Sequence, residues 1–547
     1  MRLPAARGRA GLRLAVLTLA TFGGMTAAGA IAAPAASAHA VLVSSTPVDG
    51  SRVNTEPAQV RLTFDEPVGL IAADEQVISA TGVRADTGQV RLAEGGTTIV
   101  LPLRPHLPRG TYSATWRVVS ADTHVVSGSI TFGLGVQPGA GVTAPPDHTG
   151  QLDVTADIAE GLIYAGLVLL AGITAAARLL WPWTLPSRRV RGLAWAGWAA
   201  LAAGTAAGFV LQGPRAVNAS WAAVFRLRDA GGTLASPLGQ QLAARMALLL
   251  LIVPLLTRRV GRTADVLRAA AGLALLVSVA VAGHEAAGAD AALALPAAVL
   301  HLASMAVWLG GLVVLGLAVL PALRRGTIAD AGLRRWSVTA YSCVICLVVT
   351  GEYQASRQVS PVQALWSTRY GVFLLVKVAL VAVMLAAALL AERHVMGAAV
   401  PGRLVRAVRR SVGIEIVTAV LVLAVTAVLV SEPPARTTFG PPVTLSAPLG
   451  GDHVSVRIDP TRRGAQAMTL HILTAAGAPV PARTVTATLS SAQVAALRLT
   501  LRRLTPDGSW WATSAAVVPL PGVWTLTLDV ALGPADAYAT SASYRVW

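Results

Sequence analysis

Lysine is all but missing from this sequence. Lys377 stands alone in a total of 44 lysines and arginines, so the formal net charge of +17 is an arginine charge. Cysteine is nearly as scarce: Cys343 and Cys346 are the full complement. Two cysteines so close together exclude a disulfide framework for the soluble parts. Methionine is absent between residues 39 and 245. Charged residues make up 13% of the chain, roughly half the usual share of about 25%. That excludes a disordered tail protein and argues against an ordinary soluble enzyme. Nothing resembles a phosphate-binding P-loop, which argues against ATP-driven transport. What is present is apolar: 54% of 547 residues. A chain of that length and composition reads as a membrane protein with soluble appendages.

Residues 1–38 read as a secretory signal peptide. Arg2, Arg7, Arg9 and Arg13 give a basic start, an apolar stretch runs from Leu14 to about Ala33, and Ala36-Ser37-Ala38 is a small-x-small cleavage site. The mature chain is then expected to begin at His39. Residues 39–135 alternate in period two in QVRLTFDEPV, TTIVLPL and TYSATWRVVS, with turns such as PVDGS and EGG between the runs. About seven short strands are expected there, closed as a Greek-key β-sandwich. Residues 136–157, rich in Gly and Pro at their start, read as a linker.

Residues 158–430 carry apolar blocks long enough to cross a bilayer, which takes about 20 residues as a helix. The expected spans are 158–180, 193–212, 238–256, 266–284, 295–318, 336–356, 371–391 and 412–430, an eight-helix transmembrane bundle. A cleaved signal puts residue 39 outside. The loops after spans one, three, five and seven then carry sixteen arginines, among them Arg188, Arg258, Arg324 and Arg409. The outer loops carry five: Arg215, Arg226, Arg228, Arg357 and Arg369. That asymmetry is the positive-inside pattern, and it accounts for much of the basic balance without nucleic acid. Residues 431–547 alternate again in TVTATLS and GVWTLTLDVAL, so a second small β-sandwich is expected outside the membrane.

Three residues of the first soluble segment form a candidate metal site. Cleavage before His39 puts an α-amine and an imidazole on one residue, which closes a chelate ring. Asp122 and His124 stand at i, i+2 and share one face of an extended chain. Three nitrogens and one oxygen suit tetragonal Cu(II), which tops the divalent affinity order. His106 and His148 fall in loop-like sequence and read as surface histidines.

HAVLVSSTPVDGSRV, VRLTFDEPV and GTYSATWRVVSADTHVVSGSITFGLG resemble the CopC copper-binding family over nearly all of 39–135. The resemblance implies Cu(II) held by His39, Asp122 and His124, with Glu66 as an acidic neighbour behind the ligands. It also implies that the Met-rich Cu(I) site of some relatives is absent.

LHLASMAVWLGGLVVLG (300–316), AVAGHEAA (280–287), TRYGVFLLVKVAL (368–380) and Glu415 resemble the CopD family over about 155–432. The whole chain thus resembles a fused CopC–CopD protein, a family linked to copper uptake and resistance. His301, Met305 and Trp308 fall on one helix face at i, i+4 and i+7. Imidazole and thioether suit Cu(I), so His284, His301 and Met305 are candidates for an intramembrane copper path. Cys343 and Cys346, at i, i+3, are either a Cu(I) relay or two polarizable packing residues. Arg245, Glu352, Lys377 and Glu415 are expected to face the bundle interior, because ionisable side chains are costly in lipid. His453, Met468 and His471 in the last segment read as scattered surface residues rather than a site.

The expected protein is therefore a plasma-membrane copper protein and not an enzyme. Its partners are copper ions, the lipid bilayer and extracytoplasmic copper-donor proteins, with no nucleic acid. Import is the favoured direction. The rival readings are a haem-binding electron-transfer membrane protein using His284 and His301, and a copper sensor or buffer that transports nothing.

Overall fold

A computed structural model of the chain describes residues 40, 42–70, 75–120, 125–138, 150–216, 221, 224, 233–234, 236–257, 262–282, 290–325, 332–397, 401–494, 496–499, 501–518, 520–533 and 536–547. The chain divides into two compact units. One holds the helices within Asp147–Ala435, and the other joins Ser37–Pro146 to Arg436–Trp547. The two soluble segments, far apart in sequence, therefore belong to one unit. The signal-peptide reading lies outside the described residues.

The first soluble segment has nine strands among the described residues: β1 (Leu42–Thr46), β2 (Arg52–Val53), β3 (Gln59–Phe64), β4 (Gly69–Leu70), β5 (Gln76–Ser79), β6 (Arg91–Ala93), β7 (Thr98–Pro102), β8 (Gly110–Val119) and β9 (Val125–Leu134). That exceeds the expected seven because β2 and β4 span two residues each, too few to show an alternation. One sheet runs β1-β3-β7-β6; the other runs β2-β9-β8-β4, with β5 also on β8. Val60, Leu62 and Phe64 of β3 face inward and meet Tyr112, Ala114, Trp116 and Val118 of β8 with Ile130 and Phe132 of β9. Burying each large side chain is worth about 1.5–3 kcal/mol, and alternation supplies many of them to one face.

The last segment also forms two sheets. Its strands are β10 (Val443–Leu449), β11 (Asp452–Asp459), β12 (Gly464–Thr474), β13 (Thr484–Ser490), β14 (Leu497–Leu499), β15 (Arg502–Arg503), β16 (Trp510–Val518), β17 (Gly522–Ala531) and β18 (Ala537–Val546). The sheet orders are β10-β11-β12-β16-β15 and β14-β13-β17-β18. Met468, Leu470 and Ile472 pack against Trp524, Leu526 and Leu528. A buried polar pair in that core is satisfied: Tyr544 Oη donates to Gln466 Oε1 at 2.7 Å. Burial pushes the Tyr544 phenol above its ordinary range.

Among the described residues seven helices are long and apolar enough to cross a membrane: α1 (Gln151–Leu180), α2 (Arg188–Arg215), α3 (Leu238–Leu256), α4 (Thr263–Ala280), α5 (Ala291–Arg324), α7 (Arg369–Leu390) and α8 (Arg410–Ser431). Between α5 and α7 lies α6 (Leu333–Gln358), the segment expected as span six. It is a 26-residue helix, but its Ser, Thr, Tyr and Glu residues dilute its hydropathy and it does not count with the seven. Helix begins at Gly150, inside the segment read as a linker. Gly172 of α1 meets Gly310 of α5: a Cβ on Gly310 would come within 2.3 Å of the Gly172 carbonyl carbon. Backbones that close need small residues, as membrane helices use them.

Candidate metal centre

Local pairing brings three segments to one end of the first sandwich. Leu42 at the start of β1 pairs with Phe64 at the end of β3. The chain then turns through Asp65-Glu66-Pro67 into β4, whose Gly69 pairs with Val119 at the end of β8. Val119 pairs in turn with Val125, the first residue of β9. The start of β1, the Phe-Asp-Glu-Pro turn and the base of the β8–β9 hairpin therefore share one rim. Ala40 and Ser120 are both buried there, and Glu66 is half-buried. His39, Asp122 and His124, the residues expected as ligands, lie outside the described residues.

The hairpin leading to this rim is stiffened by an aromatic that the sequence reading passed over. Trp116 packs edge-on against Phe64, with ring centroids 6.2 Å apart. Gly128, its cross-strand partner, makes room for the indole: a Cβ there would fall 2.4 Å from Trp116 Cζ2. At the other end of the sheet Asp49 accepts a 2.7 Å hydrogen bond from the Thr131 amide.

The membrane helices bring some of the expected residues together. His301 on α5 faces α6, its Nδ1 lying 2.9 Å from Thr350 Oγ1. Thr350 Oγ1 donates its single proton to the Cys346 carbonyl at 2.6 Å. It must therefore accept from His301, so Nδ1 carries the ring proton and the Nε2 lone pair is left for another partner. Cys346 Sγ lies 4.0 Å from the Leu300 carbonyl, on the same pair of helices. Met305 and Cys343 are partly buried against the cluster that contains Trp308, Leu312 and Trp336. Among the described residues no group of three or more His, Cys, Asp and Glu side chains could hold a metal ion. His284 lies outside the described residues.

Of the ionisable residues expected in the interior, Arg245 and Glu415 are buried, while Glu352 and Lys377 are half-buried. Arg245 donates to the Ser278 carbonyl at 2.6 Å and to Ser278 Oγ at 3.1 Å. Ser411 Oγ lies 2.7 Å from Glu415 Oε1. The sequence reading missed Asp153, Asp157 and Glu160, which stand at i, i+4 and i+7 on α1. Asp153 pairs with Arg215 at 2.9 Å, and Asp157 accepts a hydrogen bond from Ser431. The helical spacing was visible, but a linker drawn to 157 hid it.

In the last domain the expectation that His453, Met468 and His471 are surface residues is corrected for Met468, which the alternation along β12 turns inward. Met468 is part of the core. The His471 ring stacks on Trp510, with centroids 3.9 Å apart.

Two β-sandwiches in one unit and a bundle of apolar helices in the other define a multi-pass membrane protein with paired soluble domains. Comparison with known proteins gives the family. The CopC domain model matches residues 42–135, and the model for copper resistance protein D matches residues 330–429. Over 459 residues the chain is 28% identical to the copper transport protein CutJ of Bacillus subtilis, covering 81% of this chain and 83% of that one. Over 124 residues it is 37% identical to copper resistance protein C of Pseudomonas syringae pv. tomato, covering 21% of this chain and 97% of that protein. The solved structure of CopC from Methylosinus trichosporium OB3b is 25% identical, with a TM-score of 0.16, covering 20% of this chain and 100% of that one. The chain belongs to the fused CopC–CopD family.

Proposed function

We propose that this protein captures Cu(II) outside the plasma membrane and passes copper inward through its helical domain. His39, through its amine and imidazole, Asp122 and His124 hold the ion, and Glu66 steadies the site from behind. The observation that supports this is the shared rim: the described residues flanking all three ligands, and Glu66 itself, converge at one end of the sandwich. Both soluble domains face outward in this reading.

Inside the bundle, His284, His301, Met305, Cys343 and Cys346 form the path. This soft donor set suits Cu(I), so a donor outside the chain supplies one electron to each Cu(II) before entry. The Thr350 hydrogen bond fixes the His301 tautomer as partners of metal-binding histidines do. The ion would pass between α5 and α6, at His301 Nε2.

The test is a mature protein with one extra residue before His39. Moving the amine away from the imidazole breaks the chelate, and Cu(II) affinity is expected to fall by more than the roughly 10–100-fold that loss of a supporting partner costs. Equal affinity for extended and native forms rejects the capture site. Affinity of the native form should also weaken as pH falls through the amine range of about 7.7–8.0, because protons compete for the amine. Transport is tested separately, by cellular copper with and without the gene at low external copper; unchanged accumulation leaves a buffer.

A further inference from the structure

The turn that carries Glu66 also carries Asp65, and Asp65 has a distant partner. Arg463 Nη2 donates to Asp65 Oδ2 at 2.5 Å across 398 positions of sequence. The pair is largely shielded from water: the Asp65 side chain is 12% exposed and that of Arg463 22%. Two ion pairs formed within single sandwiches are far wetter, at 33% and 56% for Arg61–Glu94 and 57% and 50% for Arg457–Asp459. Water screens those two to little effect. Removing one partner of the Asp65–Arg463 pair would leave the other as a partly desolvated charge.

Arg463 is held ready for this contact. Its amide donates to the carbonyl of Trp547, and the Trp547 amide donates to the Thr461 carbonyl. Trp547 itself is wedged by Phe439, at 5.1 Å between centroids, and by Arg545, at 4.7 Å over the ring. A second contact runs alongside: β1 lies against β16. β1 is the end strand of its sheet, and β15 meets β16 at Trp511 and Ala512. Sheet edges left open invite pairing with other chains, so folds tend to cover them.

Both contacts fall on elements that flank the capture site. β1 follows directly after the segment that begins at His39, and Asp65 adjoins Glu66. We propose that the C-terminal sandwich is a clamp on the copper-capturing sandwich. Through Arg463–Asp65 and β1–β16 it holds the start of β1 and the Phe-Asp-Glu-Pro turn in place, and so slows the release of bound Cu(II). The copper part of this proposal rests on the capture-site reading above; the docking part does not.

The experiment uses the full-length protein in lipid nanodiscs, as wild type, R463Q, D65N and the reversed pair D65R/R463D. Two quantities are read: amide hydrogen exchange over β1 and residues 513–518, and the rate at which bound Cu(II) passes to an external chelator. R463Q and D65N are expected to speed exchange in both strands and copper release about tenfold, with D65R/R463D returning both toward wild type. Unchanged exchange in R463Q and D65N overturns the clamp. Faster exchange with unchanged copper release overturns its effect on copper. Faster exchange and release without recovery in D65R/R463D overturns the assignment to this ion pair. A wild type that binds no Cu(II) rejects the capture site instead, while the exchange data still decide the docking.

Discussion

The two β-sandwiches of this protein are built by the same rule and differ in what their rims carry. Each arises from period-two alternation that buries one face of every strand. In the first, pairings at the ends of β1, β3, β4, β8 and β9 gather the flanks of His39, Asp122 and His124 with Glu66. In the second, His453 and His471 sit along strands and Met468 has gone into the core. Alternation makes a sandwich; a site needs polar donors at turns, where the backbone converges and the side chains escape the core. The sharpest way to break that contrast is His124→Ala. It removes a proposed ligand, and the Cu(II) ligand-field spectrum should change with a loss of affinity larger than any other variant below gives. An unchanged spectrum would make the two rims alike.

Trp116→Ala tests the scaffold rather than the ligands. Trp116 fills the slot opposite Gly128 and leans on Phe64. Truncating a buried Trp costs about 3–5 kcal/mol, and hydrogen exchange over β8 and β9 should accelerate accordingly. If exchange there stays at the wild-type rate, the rim does not depend on the core beneath it.

How much of this was legible beforehand follows from the kind of signal each element leaves. Long apolar runs and alternating strands are local, so the helices and both sandwiches could be read from the sequence. β2 and β4 were not, because two residues carry no period. The start of α1 was missed for a different reason. Its first turns hold Asp153 and Asp157, which look like linker until Arg215 and Ser431 are brought against them. Asp65 was passed over beside Glu66, since its partner lies 398 positions away and no local pattern announces it. The ring proton of His301 was equally invisible: it depends on Thr350, 49 positions on.

That hydrogen bond extends the comparison into the membrane. Thr350→Val keeps the shape and removes the acceptor, which frees the imidazole to change tautomer and rotate. Loss of such a supporting partner costs about 10–100-fold in metal affinity. Cu(I) binding to the full-length protein, measured by chelator competition, should weaken by that order with Cu(II) capture untouched. Unaltered Cu(I) affinity would argue that His301 only packs.

The smallest effect is expected where the second sandwich differs most from the first. His471 pairs across β11 with Ser455 and lies flat on Trp510, its Nε2 buried without a hydrogen-bond partner. A ring held by stacking is a packing surface and offers no open donor set, so His453→Ala combined with His471→Ala should leave the copper stoichiometry of the protein unchanged. The same burial, with the nearby His453 adding to it and Asp507 opposing it, holds the His471 imidazole below its usual 6.5. The unfolded chain then binds the proton more readily than the folded one. His471 therefore contributes stability above about pH 6.5 that fades as pH falls below it. Replacing it with Gln should flatten that dependence slightly in acid, with a small change in Tm. A drop of one copper per chain in the double variant would instead show that donors spaced along a strand can make a site, and the contrast between the two rims would have to be given up.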